Sequence, residues 1–260
     1  PGRTVAVTVI DPATDTRLDI NGHVLFYAAS TMKIPVMIEV FRRDASGRPT
    51  LQDGVVLRNA FRSIADGSPY SIEDDTDNAM YERLGSSMTV AELTEKMIAV
   101  SSNLATNLLI DILGVDSVQA TCERLGTRRM TTVRGVEDAR AFDQGLNNRA
   151  TSADLAVLLE AVMQGRAVSS EASQRMVGIL LRQEFNDMIP AGLPAGVRVA
   201  HKTGWMTGIH HDAAIVIPNG LDPYVLVILT EGWEDTADAA ALGARIAALV
   251  HKSLRPGGGS

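Results

Sequence analysis

Only one cysteine, Cys122, stands in the 260 residues, so no disulfide can close within the chain. Its setting, A-T-C-E-R-L-G, has a helical pattern and reads as a small buried hydrophobe rather than a nucleophile. No apolar run approaches the roughly 20 residues needed to span a bilayer, which excludes a membrane-spanning helix. No block of Lys and Arg occurs and the net charge is −7, which excludes nucleic acid as a partner, because phosphate binding needs clustered cations. Aromatic residues make up only 4%, yet hydrophobic residues reach 45%, ample for a sizeable core in one large domain or two lobes. No internal repeat is present, and the tail at 256–260 reads as a flexible linker. The chain opens on Pro1 rather than Met and enters a strand-like run almost at once, so an upstream segment such as a signal peptide is expected.

Strand signals sit at both ends. T-V-A-V-T-V-I at 4–10 is β-branched, and a second short strand is expected over 23–28. From Thr31 the period becomes helical, with Ile34, Met37, Ile38 and Phe41 on one face. Helical signals dominate from about 46 to 190: 89–100 opens on the capping-box pattern T-V-A-E, 103–113 stops at Gly114, and further helices are expected at 116–125, 152–164 and 170–183. A stretch without sustained period fills 126–151, longer than an idle loop tends to be. Strands return at 197–202, 213–217 and 224–230, and an amphipathic helix closes the chain at 237–254. The fold class implied is α+β: an antiparallel sheet built from both termini and flanked by helices, with an inserted all-helical lobe. The expected division is 1–29 plus 191–255 for the α/β lobe and 30–190 for the helical lobe. A small-molecule site belongs in the crevice between them.

One candidate chemistry begins at A-A-S-T-M-K-I-P, residues 28–35. Ser30 and Lys33, three apart at a helix start, face the same way, so the amine can reach the hydroxyl. A serine hydroxyl is a poor nucleophile until a base takes its proton. Lysine can be that base only if its pKa falls from about 10.4 toward 7, a change of about 4 kcal/mol that burial or a second cation can supply. Alone, this pair reads equally as a helix cap with a surface lysine. Two further runs accompany it: S101-S-N103 in the break between two expected helices, and K202-T-G204 at the end of an expected strand.

The set S30-T-M-K33, S101-S-N103 and K202-T-G204 resembles the class A β-lactamases and related penicillin-recognising serine acyl-enzymes. The resemblance extends to M97-I-A-V-S-S-N-L-A-T-N-L-L-I-D-I-L-G114 and covers nearly the whole chain. It implies the β-lactamase/DD-peptidase-like fold and a role for each residue. Ser30 would be acylated and Lys33 would exchange its proton. Ser101 would relay a proton to the leaving nitrogen, and Asn103 would bind the substrate's amide side chain. Lys202 and Thr203 would attract its carboxylate, with Gly204 completing the motif. Backbone N–H groups of Ser30 and Trp205 would form the oxyanion hole.

Three departures stand out. Ser102 replaces the usual aspartate in the second motif, and Trp205 replaces a small or hydroxyl residue after K-T-G. The family's Glu-x-x-Leu-Asn run, whose glutamate activates the deacylating water, is matched here by Asp143-Gln-Gly-Leu146-Asn147. Asp143 is thus the expected base, with Glu137 and Asp138 in the same loop as alternatives, and Asn147 is an expected substrate ligand, with Asn147 or Asn148 to hold the water. The run Glu73-Asp74-Asp75 reads as a solvated surface loop. His201, His210 and His211 lack companion ligands at metal-binding spacing, and no metal or cofactor is expected. The function expected is β-lactam ring opening through acyl-Ser30. The alternatives are a D-alanyl-D-alanine carboxypeptidase or penicillin-binding-protein-like enzyme with slow deacylation, or a sensor of β-lactams or cell-wall fragments. The expected partner is a small molecule, a β-lactam or a D-Ala-D-Ala-like peptide. A monomer is expected, and the resemblance implies a secreted or periplasmic bacterial protein.

Overall fold

The structure is a computed structural model and describes residues 2–255. The linker-like tail at 256–260 lies outside the described residues. Five strands form one sheet: β1 (Thr4–Asp11), β2 (Thr16–Ile20), β3 (Arg198–Met206), β4 (Ile209–Ile217) and β5 (Tyr224–Glu231). Their order is β2-β1-β5-β4-β3. Every neighbouring pair is antiparallel, and β1 runs beside β5 from Thr4↔Glu231 to Ile10↔Val225, so the two ends of the chain are paired at the centre of the sheet.

The strands are hydrophobic on successive residues because both faces are covered. Val7, Val9, Ala214, Val216, Leu226 and Ile228 face the closing helix, which runs Thr236–Leu254. The alternating set Ala6, Ile10, Ala213, Ile215, Val225, Val227 and Leu229 belongs to a second cluster, continuous with the helical part of the chain. The helices are α1 (Lys33–Ser46), α2 (Val90–Ala99), α3 (Asn103–Leu113), α4 (Val115–Leu125), α5 (Ala139–Asp143), α6 (Ser152–Met163), α7 (Ser170–Leu180) and α8 (Thr236–Leu254). The Thr89/Glu92 capping box forms as expected, and Gly114 ends α3 with φ 77°. Helix α6 is apolar nearly all round and lies on the sheet, where Ser152 Oγ meets Thr8 Oγ1 at 2.9 Å.

Several expectations are corrected. The strand expected over 23–28 shrinks to Phe26–Tyr27, paired with Arg149–Ala150. Residues 48–88 hold only two- and three-residue strands and a 3-10 turn at Asn78–Arg83, not helices. Strand β2 was not anticipated: T-R-L-D-I lies on the sheet's outer edge with little buried, so it has no apolar face to read. Strand β3 runs past Lys202 to Met206 because Trp205 pairs with His210 and Met206 with Ile209. The K-T-G run therefore lies inside an edge strand.

Candidate active site

Ser30 sits in the 3-10 turn Ala29–Met32 that leads into α1. With three residues per turn, positions i and i+3 stack in register, which sets Lys33 beneath Ser30. The edge strand β3 presses against this turn at Gly204. A Cβ there would stand 2.9 Å from Ser30 N and 3.0 Å from Thr31 N. Only glycine permits that approach.

Lys33 is wholly buried. Its Nζ donates to Ser101 O at 2.6 Å, to Asn103 Oδ1 at 2.8 Å and reaches Ser101 Oγ at 3.2 Å. Lys202, also wholly buried, donates to the same Ser101 Oγ at 3.0 Å and to Thr203 O at 2.8 Å. One hydroxyl is thus held between two amines. Burial lowers the Lys33 pKa to about 7, partly opposed by the carboxylates of Asp75 and Glu137. Lys202 is pushed well below its ordinary value, first by burial and then by the charge of Lys33. An uncharged Lys33 has two N–H donors and one lone pair. Ser101 O and Asn103 Oδ1 take the donors, and the lone pair is left for a hydroxyl proton. None of these bonds runs to Ser30, which is half-buried and lines the cleft.

The cleft has a volume of about 440 Å³, and its lining includes Ser30, Ser101, Asn103, Glu137 and Trp205. Tyr27 and Phe142 meet edge to face along one wall, ring centres 5.7 Å apart. Trp205 is 54% exposed and also borders a second hollow of about 520 Å³ reached by Thr203 and His210. Thr203 Oγ1 and His210 Nδ1 are buried there without a hydrogen-bond partner. Burial lowers His210, but Asp187, 3.5 Å away, outweighs it and raises the imidazole overall. His201 bridges Asp212 and Asn186 behind the strand, and His211 Nε2 contacts Tyr27 O.

The long loop is closed at its base. Asn148 Oδ1 accepts from Val133 N at 2.8 Å, and Asn148 Nδ2 donates to Arg134 O at 3.0 Å. The buried Arg134 donates to Leu146 O, to Tyr27 Oη and to Asn147 Oδ1. This geometry corrects two expectations. Asp143 ends α5 exposed and does not line the cleft, because the five-residue helix turns it outward. Asn147 is turned back to hold Arg134 and Phe142 O, and it does not line the cleft either. Asp138 is buried and engaged by Ser63 Oγ, Ile64 N and Ala141 N, a staple for the loop.

Glu137 lines the cleft beside Asn103. Its Oε1 accepts from Asn103 Nδ2 at 3.2 Å, and its pKa is raised by desolvation against the opposing pull of Lys33. Glu137 also has φ 60°, Ser101 has φ 61° and Ala29 has φ 43°. Three non-glycine residues in the left-handed region border one cleft, each costing of order 1–3 kcal/mol. The Glu73–Asp75 run is corrected in part. Glu73 and Asp74 are exposed, but Asp75 is buried and bonded to the start of α3.

Residues 1–254 match the model of a family described as the β-lactamase enzyme family. The chain belongs to that family. A β-lactamase from Bacillus amyloliquefaciens is 26% identical over 254 residues, covering 96% of this chain and 78% of its own length. A mutant of the class A β-lactamase of the last common ancestor of Gram-negative bacteria superposes with TM-score 0.85 at 27% identity, covering 97% of this chain and 94% of that one. A mutant of PBP-A, solved as an acyl-enzyme complex with penicillin G, superposes with TM-score 0.85 at 26% identity, covering 98% and 92%. The β-lactamase is thus a class A serine hydrolase, with the α+β fold that its sequence implied.

Proposed function

We propose that this β-lactamase opens its substrate's ring through an ester on Ser30, with Lys33 as base and Glu137 as the group that clears the ester. The neutral Lys33 amine accepts the Ser30 proton as Oγ bonds to the lactam carbonyl carbon. Backbone N–H groups of Ser30 and Trp205 receive the oxyanion, each worth about 3–4 kcal/mol. The carbon–nitrogen bond breaks, and Ser101 gives its proton to the nitrogen while the adjoining amines replace it. Lys202 and Thr203 draw the substrate carboxylate. Glu137 then takes a proton from the water that attacks the ester, and that proton passes to Ser30 Oγ as the ester bond breaks, which leaves Glu137 ionised again. The observation that carries this reading is the convergence of two buried amines on Ser101, beside the cleft that Ser30 lines.

The penicillin G ester in the PBP-A mutant supports the same ester on Ser30. A carboxylate placed as Glu137 is favours turnover over a stalled adduct. All the groups named come from one chain, so a monomer suffices. No helix among the described residues is long and apolar enough to cross a membrane, and secretion or a periplasmic location fits a substrate met outside the cytoplasm. Steady-state hydrolysis of a chromogenic cephalosporin by the protein and by Ser30→Ala tests the reading. Turnover should fall to the uncatalysed background in the variant; equal rates would refute it. An adduct on the unaltered protein that persists for hours would instead support the peptidase alternative.

A further inference from the structure

The turn that presents Ser101 and Asn103 has no carboxylate of its own. Ser101 sits at φ 61°, Ser102 is the N-cap of α3, and Asn103 is its first helical residue. Three N–H groups at this helix start need acceptors, and a single serine cannot supply them all. Ser102 Oγ accepts from Ala105 N at 3.2 Å. The other two N–H groups turn to a residue far away in sequence. Asp75 Oδ1 accepts from Asn103 N at 2.9 Å, and Asp75 Oδ2 accepts from Leu104 N at 2.8 Å. The same Oδ2 also accepts from Tyr81 Oη at 2.9 Å and from Ser102 Oγ at 3.3 Å.

The neighbours of Asp75 grip the same turn. Thr76 Oγ1 donates to Val100 O, and Asp77 Oδ2 pairs with Lys96 Nζ at 3.0 Å. The segment 75–77 therefore holds the 96–104 region at three points, and Asp75 is the one that binds Asn103, which bears one of Lys33's acceptors, and Ser102, next to Ser101, which bears the others. We propose that Asp75 is the positioning residue for Ser101 and Asn103, a carboxylate supplied from a distant part of the chain to a turn whose own cap is a serine. This rests on the reading of Ser101 and Lys33 given above.

Asp75 also acts on Lys33 by charge. Asp75 and Glu137 hold the Lys33 pKa up, against the burial that lowers it. Lys202, on the other side of Ser101, is the further titratable group beside that amine. A role in structure alone would change the amplitude of activity, whereas this charge changes where Lys33 titrates.

The test compares Asp75→Ala, Asp75→Asn and the double variant Asp75→Ala/Ser102→Asp in the full chain. An aspartate at the N-cap can accept from Leu104 N, one of the two N–H groups that Asp75 now serves. Acylation by a chromogenic cephalosporin should fall about a hundredfold in Asp75→Ala, the effect of moving a reacting group by about 1 Å. The double variant should recover at least about tenfold. In Asp75→Asn, the acid limb of the acylation profile should move to lower pH, because one of the two carboxylates favouring protonated Lys33 is gone. Amide exchange at Asn103 and Leu104, read by NMR, should lose protection in Asp75→Ala, and Leu104 should regain it in the double variant. That readout needs no turnover, so it stands even if the unaltered protein fails to acylate. Wild-type acylation in Asp75→Ala, no gain in the double variant, an unmoved limb in Asp75→Asn, or unchanged exchange would each overturn the proposal.

Discussion

Replacing Glu137 with Gln separates the two halves of the proposed cycle. The amide is close in size to the carboxylate, and its oxygen can still accept from Asn103 Nδ2, now 3.2 Å from Glu137 Oε1. What it cannot do is take a proton from water. A positioned general base contributes about 10²–10⁴-fold, so the deacylation rate constant should fall by that factor. Acylation should survive, because Lys33 and Ser101 keep their contacts. Losing the Glu137 charge also removes one of the two influences that raise the Lys33 pKa, so the acid limb of acylation should shift down in pH. The assay is rapid mixing with a chromogenic penicillin analogue, followed by intact-mass spectrometry. A burst of one equivalent and a lasting adduct on Glu137→Gln are expected, while Asp143→Asn turns over within about twofold of the unaltered protein. Wild-type turnover by Glu137→Gln, or a lasting adduct only on Asp143→Asn, would refute the assignment.

Gly204→Ala should reduce kcat by about 10²–10³-fold in steady-state assays, the loss of an oxyanion donor, since its Cβ would stand 2.9 Å from Ser30 N. Lys33→Met should abolish acylation yet raise stability at pH 7. Bringing the Lys33 pKa from 10.5 to about 7 corresponds to about 5 kcal/mol against the folded state. The net gain is on the order of 2 kcal/mol, because Ser101 O and Asn103 Oδ1 lose their donor. The folded-state pKa is depressed, so the unfolded chain binds the extra proton between about 7 and 10.5, and native stability climbs over that window. The advantage of Lys33→Met in urea melts should therefore shrink toward pH 10; an advantage constant with pH would contradict the argument.

Much of this arrangement was legible in the chain, for identifiable reasons. The antiparallel sheet built from both termini followed from β-branched runs at both ends, and α2 and α3 followed from a capping box and a terminal glycine. Ser30, Lys33, Ser101, Asn103 and Lys202 were expected together because their short runs resemble those of the class A β-lactamases, and the fold brings Lys33, Ser101, Asn103 and Lys202 into contact. The long loop was not. Its carboxylates are placed by Arg134, Asn148 and the Asp138 staple, contacts between distant residues that leave no local period. The D-Q-G-L-N run offered a plausible local match, while Glu137 carried no mark beyond its charge. Asp75 was hidden similarly: in sequence it is one of three successive acids, and only the folded chain brings the start of α3 to it. The far end of strand β3 and the start of β4 were not legible, because Gly204 on the one and His210 and His211 on the other interrupt an apolar pattern that backbone pairing continues.

The central claim is that burial keeps Lys33 uncharged near neutrality, so that it can take the Ser30 proton. The direct measurement is the single-turnover acylation rate constant as a function of pH. It should rise through an apparent pKa of about 7 and be about tenfold higher at pH 8 than at pH 6. A rate that climbs only near pH 10, where an ordinary lysine titrates, or a profile unaltered in Lys33→Met, would contradict it.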